Sequence, residues 1–200
     1  MNRRTNRRTD AIRELFLKEA VALNDRVLEL DRLLTHLVRP DWVRMIGQEL
    51  ADRFRDDAPT KVLTAESAGI APAFAAAEEL GVPLLFARRR QTLLTGEDVW
   101  HERVPSFTKG VVTDLLVPRN LLSADDRVLI VDDTIAHGDT ALGLVRIVEN
   151  AGARLVGFAV VVEKCFQEGA RRLKDRGVRV ESLVRVRSLE NGLELESEGE

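Results

Sequence analysis

The sequence predicts one α/β domain: a mostly parallel, twisted sheet flanked by helices, with N-terminal helical or hood elements and a flexible lid loop. From Lys61 onward, short apolar runs alternate with segments of helical periodicity, the pattern of strand–helix–strand units. Val128-Leu129-Ile130-Val131 is apolar without interruption, as a parallel strand buried on both faces should be. Gly81, Gly152 and Gly177 each follow a helical stretch and precede a strand, where a residue that tolerates positive φ can end the helix.

The chain starts with a basic cluster, Arg3, Arg4, Arg7 and Arg8, which reads as a solvated tail. Ile12, Leu15, Phe16 and Ala20 then recur at helical spacing and place a first helix from about Thr9 or Asp10. Asn24 and Asp25 break it, and Val27 to Leu30 suits a short strand. A second helix starts at Pro40, favoured at a first helical position, with Asp41 facing its positive end. Its buried stripe is Val43, Ile46, Leu50 and Phe54. Strands are predicted at Val62 to Ala65, Val82 to Ala87, Val111 to Val117, Val128 to Val131, Leu155 to Val162 and Val178 to Val184. Between Arg88 and Gly110 the chain is polar and aperiodic, with turn-prone Thr95-Gly96 and Pro105-Ser106. A loop of that length inside a compact domain is uncommon and tends to be either a functional lid or disordered. The expectation is a single domain over 1–200, with about 1–55 as the N-terminal part and about 60–190 as the core.

Composition excludes several classes of function. At 44% hydrophobic and 32% charged the chain is a globular protein rather than a disordered one. No apolar stretch approaches the roughly 20 residues that cross a bilayer, and Met1 to Asp10 lack the apolar segment of a secretory signal. The single cysteine, Cys165, excludes an intrachain disulfide and a thiolate metal site, which suits the cytoplasm. A net charge of -3 and a pI near 5.8 argue against nucleic acid as a partner. The glutamates Glu190, Glu194, Glu196, Glu198 and Glu200 read as an acidic solvated end.

The chemistry concentrates where the apolar run meets Asp132 and Asp133. In open α/β sheets the carboxyl ends of the strands face the ligand crevice, so paired acids there suit binding better than packing. The small and polar residues Thr134 to Thr140 follow, leading into a helix whose core face is Ala141, Leu144, Val145 and Val148. A tight loop at the positive end of a helix turns backbone amides towards a phosphate. Neither GxxxxGK[ST] nor GxGxxG after a strand occurs, which argues against nucleoside triphosphate and dinucleotide cofactors. Acids beside a phosphate cradle suit a sugar phosphate, because carboxylates accept hydrogen bonds from vicinal hydroxyls. His36 and His101 have no readable setting of acid and nucleophile, and Cys165 reads as strand-end packing.

The run Val128 to Thr140 resembles the phosphoribosyl pyrophosphate signature of the type I phosphoribosyltransferases: apolar strand, paired acids, short loop, glycine and threonine. Thr64 to Pro72, Phe86-Ala87-Arg88, Ser106 to Lys109 and Glu163-Lys164 resemble its bacterial xanthine phosphoribosyltransferase branch, over about Asn24 to Gly192. The resemblance implies transfer of a 5-phosphoribosyl group from phosphoribosyl pyrophosphate to N9 of xanthine, with Mg2+, in a cytoplasmic homodimer. It implies that Asp132 and Asp133 bind the ribose hydroxyls and are catalytic, and that Ala136, His137, Gly138, Asp139 and Thr140 hold the 5-phosphate. Glu66, Ser67, Ala68 and Gly69 would contact pyrophosphate, while Leu28, Thr35 and Lys164 would form the base site. Thr35 stands where the family often has asparagine. Ser106, Phe107, Thr108 and Lys109 would belong to the lid, and Arg88, Arg89 and Arg90 either lie near a dimer partner's pyrophosphate site or are solvated. Guanine or hypoxanthine as the base, and a non-catalytic purine-responsive regulator, remain open at this point.

Overall fold

A computed structural model of the chain describes residues 3–91, 98–106 and 111–196. The chain runs α1 (Arg3–Glu19), β1 (Val21–Ala22), β2 (Leu28–Glu29), a π-helical turn (Asp31–Thr35) and α2 (Pro40–Phe54). It continues through β3 (Lys61–Ala65), α3 (Ile70–Leu80), β4 (Leu84–Ala87), β5 (Val99–Ser106), β6 (Val111–Pro118) and β7 (Arg127–Ile135). The remaining elements are α4 (Asp139–Asn150), β8 (Arg154–Lys164), α5 (Gly169–Lys174), β9 (Val180–Ser188) and β10 (Glu194–Leu195). The main sheet has 6 strands in the order β10-β9-β8-β7-β3-β4. All its neighbouring pairs are parallel except β9 with β10.

Strand β7 shows why the apolar run had to be continuous. Leu129 and Val131 point into one core with Trp42, Ile46, Leu50 and Phe54 of α2 and the alanines of α3. Val128 and Ile130 point into the other, with Leu144, Val145 and Val148 of α4 and Leu115 and Val117 of β6. All four residues of the run are fully buried, and burying each contributes about 1.5–3 kcal/mol relative to exposure. Connectivity then makes a crevice. From β3 the chain winds outward to β4, whereas from β7 it winds the other way to β8 and β9, so the order reverses between adjacent β3 and β7. At such a switch point the loops after the two strands splay apart.

Several expectations are corrected by the structure. The span Arg88 to Gly110 is not an extended loop: β5 occupies Val99–Ser106 and pairs antiparallel with β6. That ribbon packs Val104, Leu115 and Val117 onto the core beside α4, and the pairing Arg88↔Leu116 fastens it to the end of β4. The predicted strand at Val111 to Val117 therefore exists but lies in this ribbon, outside the parallel sheet. Two-residue periodicity cannot tell which partner a strand takes.

The N-terminal cluster does not form an irregular tail, because α1 begins at Arg3. Arg8 reaches Asp52 at 2.9 Å and the fully buried Glu49 of α2 at 3.4 Å. Arg53, one turn on from Glu49, pairs with it at 3.1 Å and with Glu181 of β9 at 3.3 Å. At the acidic end, Glu194 enters β10 and Glu196 pairs with Arg185 at 2.7 Å; Glu198 and Glu200 lie outside the described residues. Removing Arg53 leaves the Glu49 carboxylate buried with only the longer contact to Arg8. Arg53→Met is expected to lower unfolding free energy by about 2–3 kcal/mol, and Glu49→Met with Arg53→Met to recover most of it, in urea denaturation.

Candidate active site

Strand β7 does not end at Val131, as the sequence suggests, but carries Asp132, Asp133 and Thr134 in register with β8 as far as Ile135. Asp132 pairs with Val160 and Ile135 with Glu163. The acids are thus held by sheet hydrogen bonding rather than by a turn, which fixes their direction at the crevice. Asp132 is buried, whereas Asp133 is partly exposed. The Oδ1 of Asp132 accepts a hydrogen bond from the Asp133 amide at 3.0 Å.

After β7, Ala136 to Gly138 turn the chain into α4. Gly138 sits at the N-cap with φ 86°, a left-handed backbone conformation that favours glycine, so no side chain stands over the first turn. The first amides of α4 have no partner within the helix and carry its positive end. After β3, the turn Glu66 to Gly69 leads into α3, and the Glu66-Ser67 peptide is cis. A Cβ at Gly69 would stand 2.4 Å from the Thr64 hydroxyl and 2.5 Å from Asp132 Oδ1. The absence of a side chain there lets this turn lie directly over the buried acid.

These pieces meet in a single cleft of about 580 Å³. It is lined by Glu66 to Gly69, by Asp132 to Ala141 and, from the ribbon, by Val104, Pro105 and Val112 to Asp114. The acids, the loop Ala136 to Thr140 and the turn Glu66 to Gly69, singled out separately in the sequence, therefore share one cavity. Arg89 and Arg90 line it as well, and Arg88 and Arg89 bind Glu66 of their own chain. Arg89 also donates to the Glu66 carbonyl at 2.7 Å. Arg88 and Arg89 are thus tied to the turn after β3 rather than simply solvated.

Leu28, Thr35 and Lys164, expected at the base site, are not among the residues that line this cavity. Lys164 ends β8, and its Nζ donates to the Arg26 carbonyl at 2.8 Å instead of pointing into the cleft. Burial lowers its pKa. Leu28 lies in β2, close along the chain to Arg26, and Thr35 ends the π-helical turn in an exposed position. Ser106 is the last residue of β5, while Phe107, Thr108 and Lys109 lie outside the described residues. His101 does have an acid, Asp114, at 2.7 Å, and His36 has Asp31 at 3.0 Å. Burial and then the charge of Glu163 push the Cys165 thiol up to about 12, so it is no nucleophile at neutral pH. The sequence reading missed Val104, Pro105 and Asp114 as cleft residues, because the pairing of β5 with β6 brings them there.

Burial pushes the Asp132 carboxyl well above the usual value of 3.8, and the adjacent charge of Asp133 adds to this. Asp133 is raised too, chiefly by burial, while its hydrogen bond to Asp132 pulls the other way. A carboxylate pair costly to keep charged is held at the expense of stability.

A phosphoribosyl transferase domain matches residues 39–191, and the chain belongs to the phosphoribosyltransferase family. Among its relatives, the xanthine phosphoribosyltransferase of Geobacillus thermodenitrificans is 48% identical over 185 residues, covering 91% of this chain and 95% of that protein. The xanthine phosphoribosyltransferase of Acinetobacter baylyi is 44% identical over 182 residues, covering 91% and 95%. The crystal structure of adenine phosphoribosyltransferase from Rhodothermus marinus superposes with a TM-score of 0.72 at 24% identity, over 88% of this chain and 99% of that one, and shares the fold.

Because the folded protein binds protons at these acids more tightly than the unfolded chain does, their contribution to stability falls as pH rises from the ordinary aspartate range through the raised folded value. Asp132→Asn, which keeps the Oδ1 acceptor, is expected to raise unfolding free energy at neutral pH by about 1–2 kcal/mol and to flatten that pH dependence while lowering turnover at least tenfold (roughly). Thermal melts across pH, beside an activity assay, check both effects.

Proposed function

We propose that the protein is a xanthine phosphoribosyltransferase that converts xanthine and phosphoribosyl pyrophosphate to xanthosine 5'-monophosphate and pyrophosphate. The observation that carries this is the meeting, in one cleft, of an acid pair, a helix-start phosphate loop and a turn suited to a second anion. Relatives named as xanthine phosphoribosyltransferases, 44–48% identical, support the choice of base.

In this reading the amides of Ala136 to Thr140 hold the 5-phosphate, and Asp132 and Asp133 accept hydrogen bonds from the ribose hydroxyls. The turn Glu66 to Gly69 receives the pyrophosphate. As the bond from C1 to pyrophosphate breaks, the electron pair leaves with pyrophosphate and positive charge develops on the ribose ring. The nearby acids stabilise that charge. N9 of the base forms the new bond to C1 and gives up its proton. Aligning N9 with C1 provides much of the rate.

Among the described residues no group of three or more His, Cys, Asp or Glu makes a metal cage. The oxygen-only acid pair suits a hard cation that arrives with the diphosphate, so Mg2+ would be held beside Asp132 and Asp133 and would neutralise phosphate charge. The N-terminal part, about 1–55, contributes the base site with Leu28 and Thr35. Lys164 leaves the Arg26 carbonyl to donate to an exocyclic oxygen of a 6-oxopurine. The lid, Ser106 to Lys109, excludes water. The reading includes a homodimer in the cytoplasm, implied by the family resemblance. Among the described residues, no helix is long and apolar enough to cross a membrane.

Incubation with Mg2+, phosphoribosyl pyrophosphate and each purine base should give xanthosine 5'-monophosphate as the preferred nucleotide. Preference for guanine or hypoxanthine would reassign the base, and absence of any nucleotide would favour a non-catalytic regulator. Lys164→Ala should raise KM for xanthine about 10- to 100-fold, the loss of one hydrogen bond from a charged donor, with a smaller effect on KM for phosphoribosyl pyrophosphate. An unchanged KM for xanthine would remove Lys164 from the base site.

A further inference from the structure

An acidic side chain stands where the phosphate is proposed to bind. Asp139 is the first residue of α4 and lines the cleft. Its carboxylate suits the positive end of the helix but repels a bound phosphate dianion. The structure supplies a counter-charge from another element. Arg172 of α5 places Nη1 3.0 Å from Asp139 Oδ1 and donates to the His137 carbonyl at 2.5 Å.

We propose that Arg172 is a positioning residue of the phosphate loop: it cancels the Asp139 charge and fixes the His137 peptide. In a trans peptide the carbonyl and the next amide point in opposite directions, so holding His137 O also sets the direction of the Gly138 N–H. The rest of α5 is built to keep Arg172 in place. Gly169 donates its amide to the Ala136 carbonyl at 2.9 Å. A Cβ at Gly138 would stand 2.7 Å from Gly169 Cα, and one at Gly169 would stand 2.4 Å from the Ala136 oxygen. The loop and α5 are therefore in direct backbone contact. The neighbouring Arg171 pairs with Glu168 instead, which leaves Arg172 as the cation on Asp139.

This inference rests on reading Ala136 to Thr140 as the phosphate loop, and the experiment separates the two. Ribose 5-phosphate binding is measured by calorimetry on wild type, Arg172→Gln, Arg172→Lys and the double variant Arg172→Gln with Asp139→Asn. KM values for both substrates and melting temperatures are measured alongside. Arg172→Gln should weaken ribose 5-phosphate binding about tenfold, as expected when one charge beside an anion is left uncancelled. It should raise KM for phosphoribosyl pyrophosphate similarly and KM for xanthine little. Arg172→Lys, which keeps the charge, should stay within about threefold of wild type, and the double variant should recover most of the loss. A double variant as weak as Arg172→Gln, or Arg172→Gln binding within about twofold of wild type, would overturn the inference alone. If wild type bound no ribose 5-phosphate, the phosphate-loop reading itself would fall, and this inference with it.

Discussion

Two adjacent carboxylates are kept near the end of a strand, directly after four residues fully buried in hydrocarbon, and most of the site follows from what that placement requires. Ionised acids cannot be left in such surroundings without polar company. Asp132 has the Asp133 amide and, further off, the Arg89 charge, while Asp133 opens onto the cleft. The turn after β3 is stripped to glycine at Gly69 so that it can pass over Asp132. Arg89 is in turn held by both the carboxylate and the carbonyl of Glu66. The turn after β3, the basic stretch and the acid pair are thus one connected polar assembly. Its cost in desolvation is offset by the apolar burial of β7 on both faces.

Much of this was legible in the sequence because it is local. The apolar run, the paired acids, Gly138 and the helix from Asp139 follow one another along the chain, so the order of residues is already the order of parts in space. The helix starting at Pro40 and the glycines ending helices were legible for the same reason, and Gly81, Gly152 and Gly177 do take positive φ. Partnership across the chain was not. The ribbon of β5 and β6 looked like a loop and a sheet strand because His101, Glu102 and Arg103 are polar on the way to Val104, and their cross-strand partners, Leu116, Leu115 and Asp114, lie more than ten residues further along the chain. The direction of Lys164 was equally hidden, since its acceptor, the Arg26 carbonyl, is a backbone atom 138 residues away.

Near both ends of the chain, described charged residues take part in the fold. Arg8 reaches the buried Glu49, and Arg13 donates to the Glu196 carbonyl at 2.7 Å, which ties α1 to the strand at the other end of the chain. Glu196 continues through Arg185 to the buried Glu163, next to Lys164 in β8. A charge run reads as a solvated face when its partners are distant in sequence, and here they are on α2 for Arg8 and on β9 for Glu196.

The borders of the main sheet have a consequence for how the protein behaves at high concentration. A bare outermost strand offers unpaired amides and carbonyls to any other chain. Here β10 crosses in the opposite sense alongside β9, and Arg88 and Leu116 exchange amide-to-carbonyl bonds of 2.9 Å at the far end of β4. Both margins are partly occupied by the molecule's own backbone. The ribbon that walls the cleft thereby also guards against edge-to-edge stacking, so loosening it for faster substrate entry would carry a penalty in colloidal behaviour.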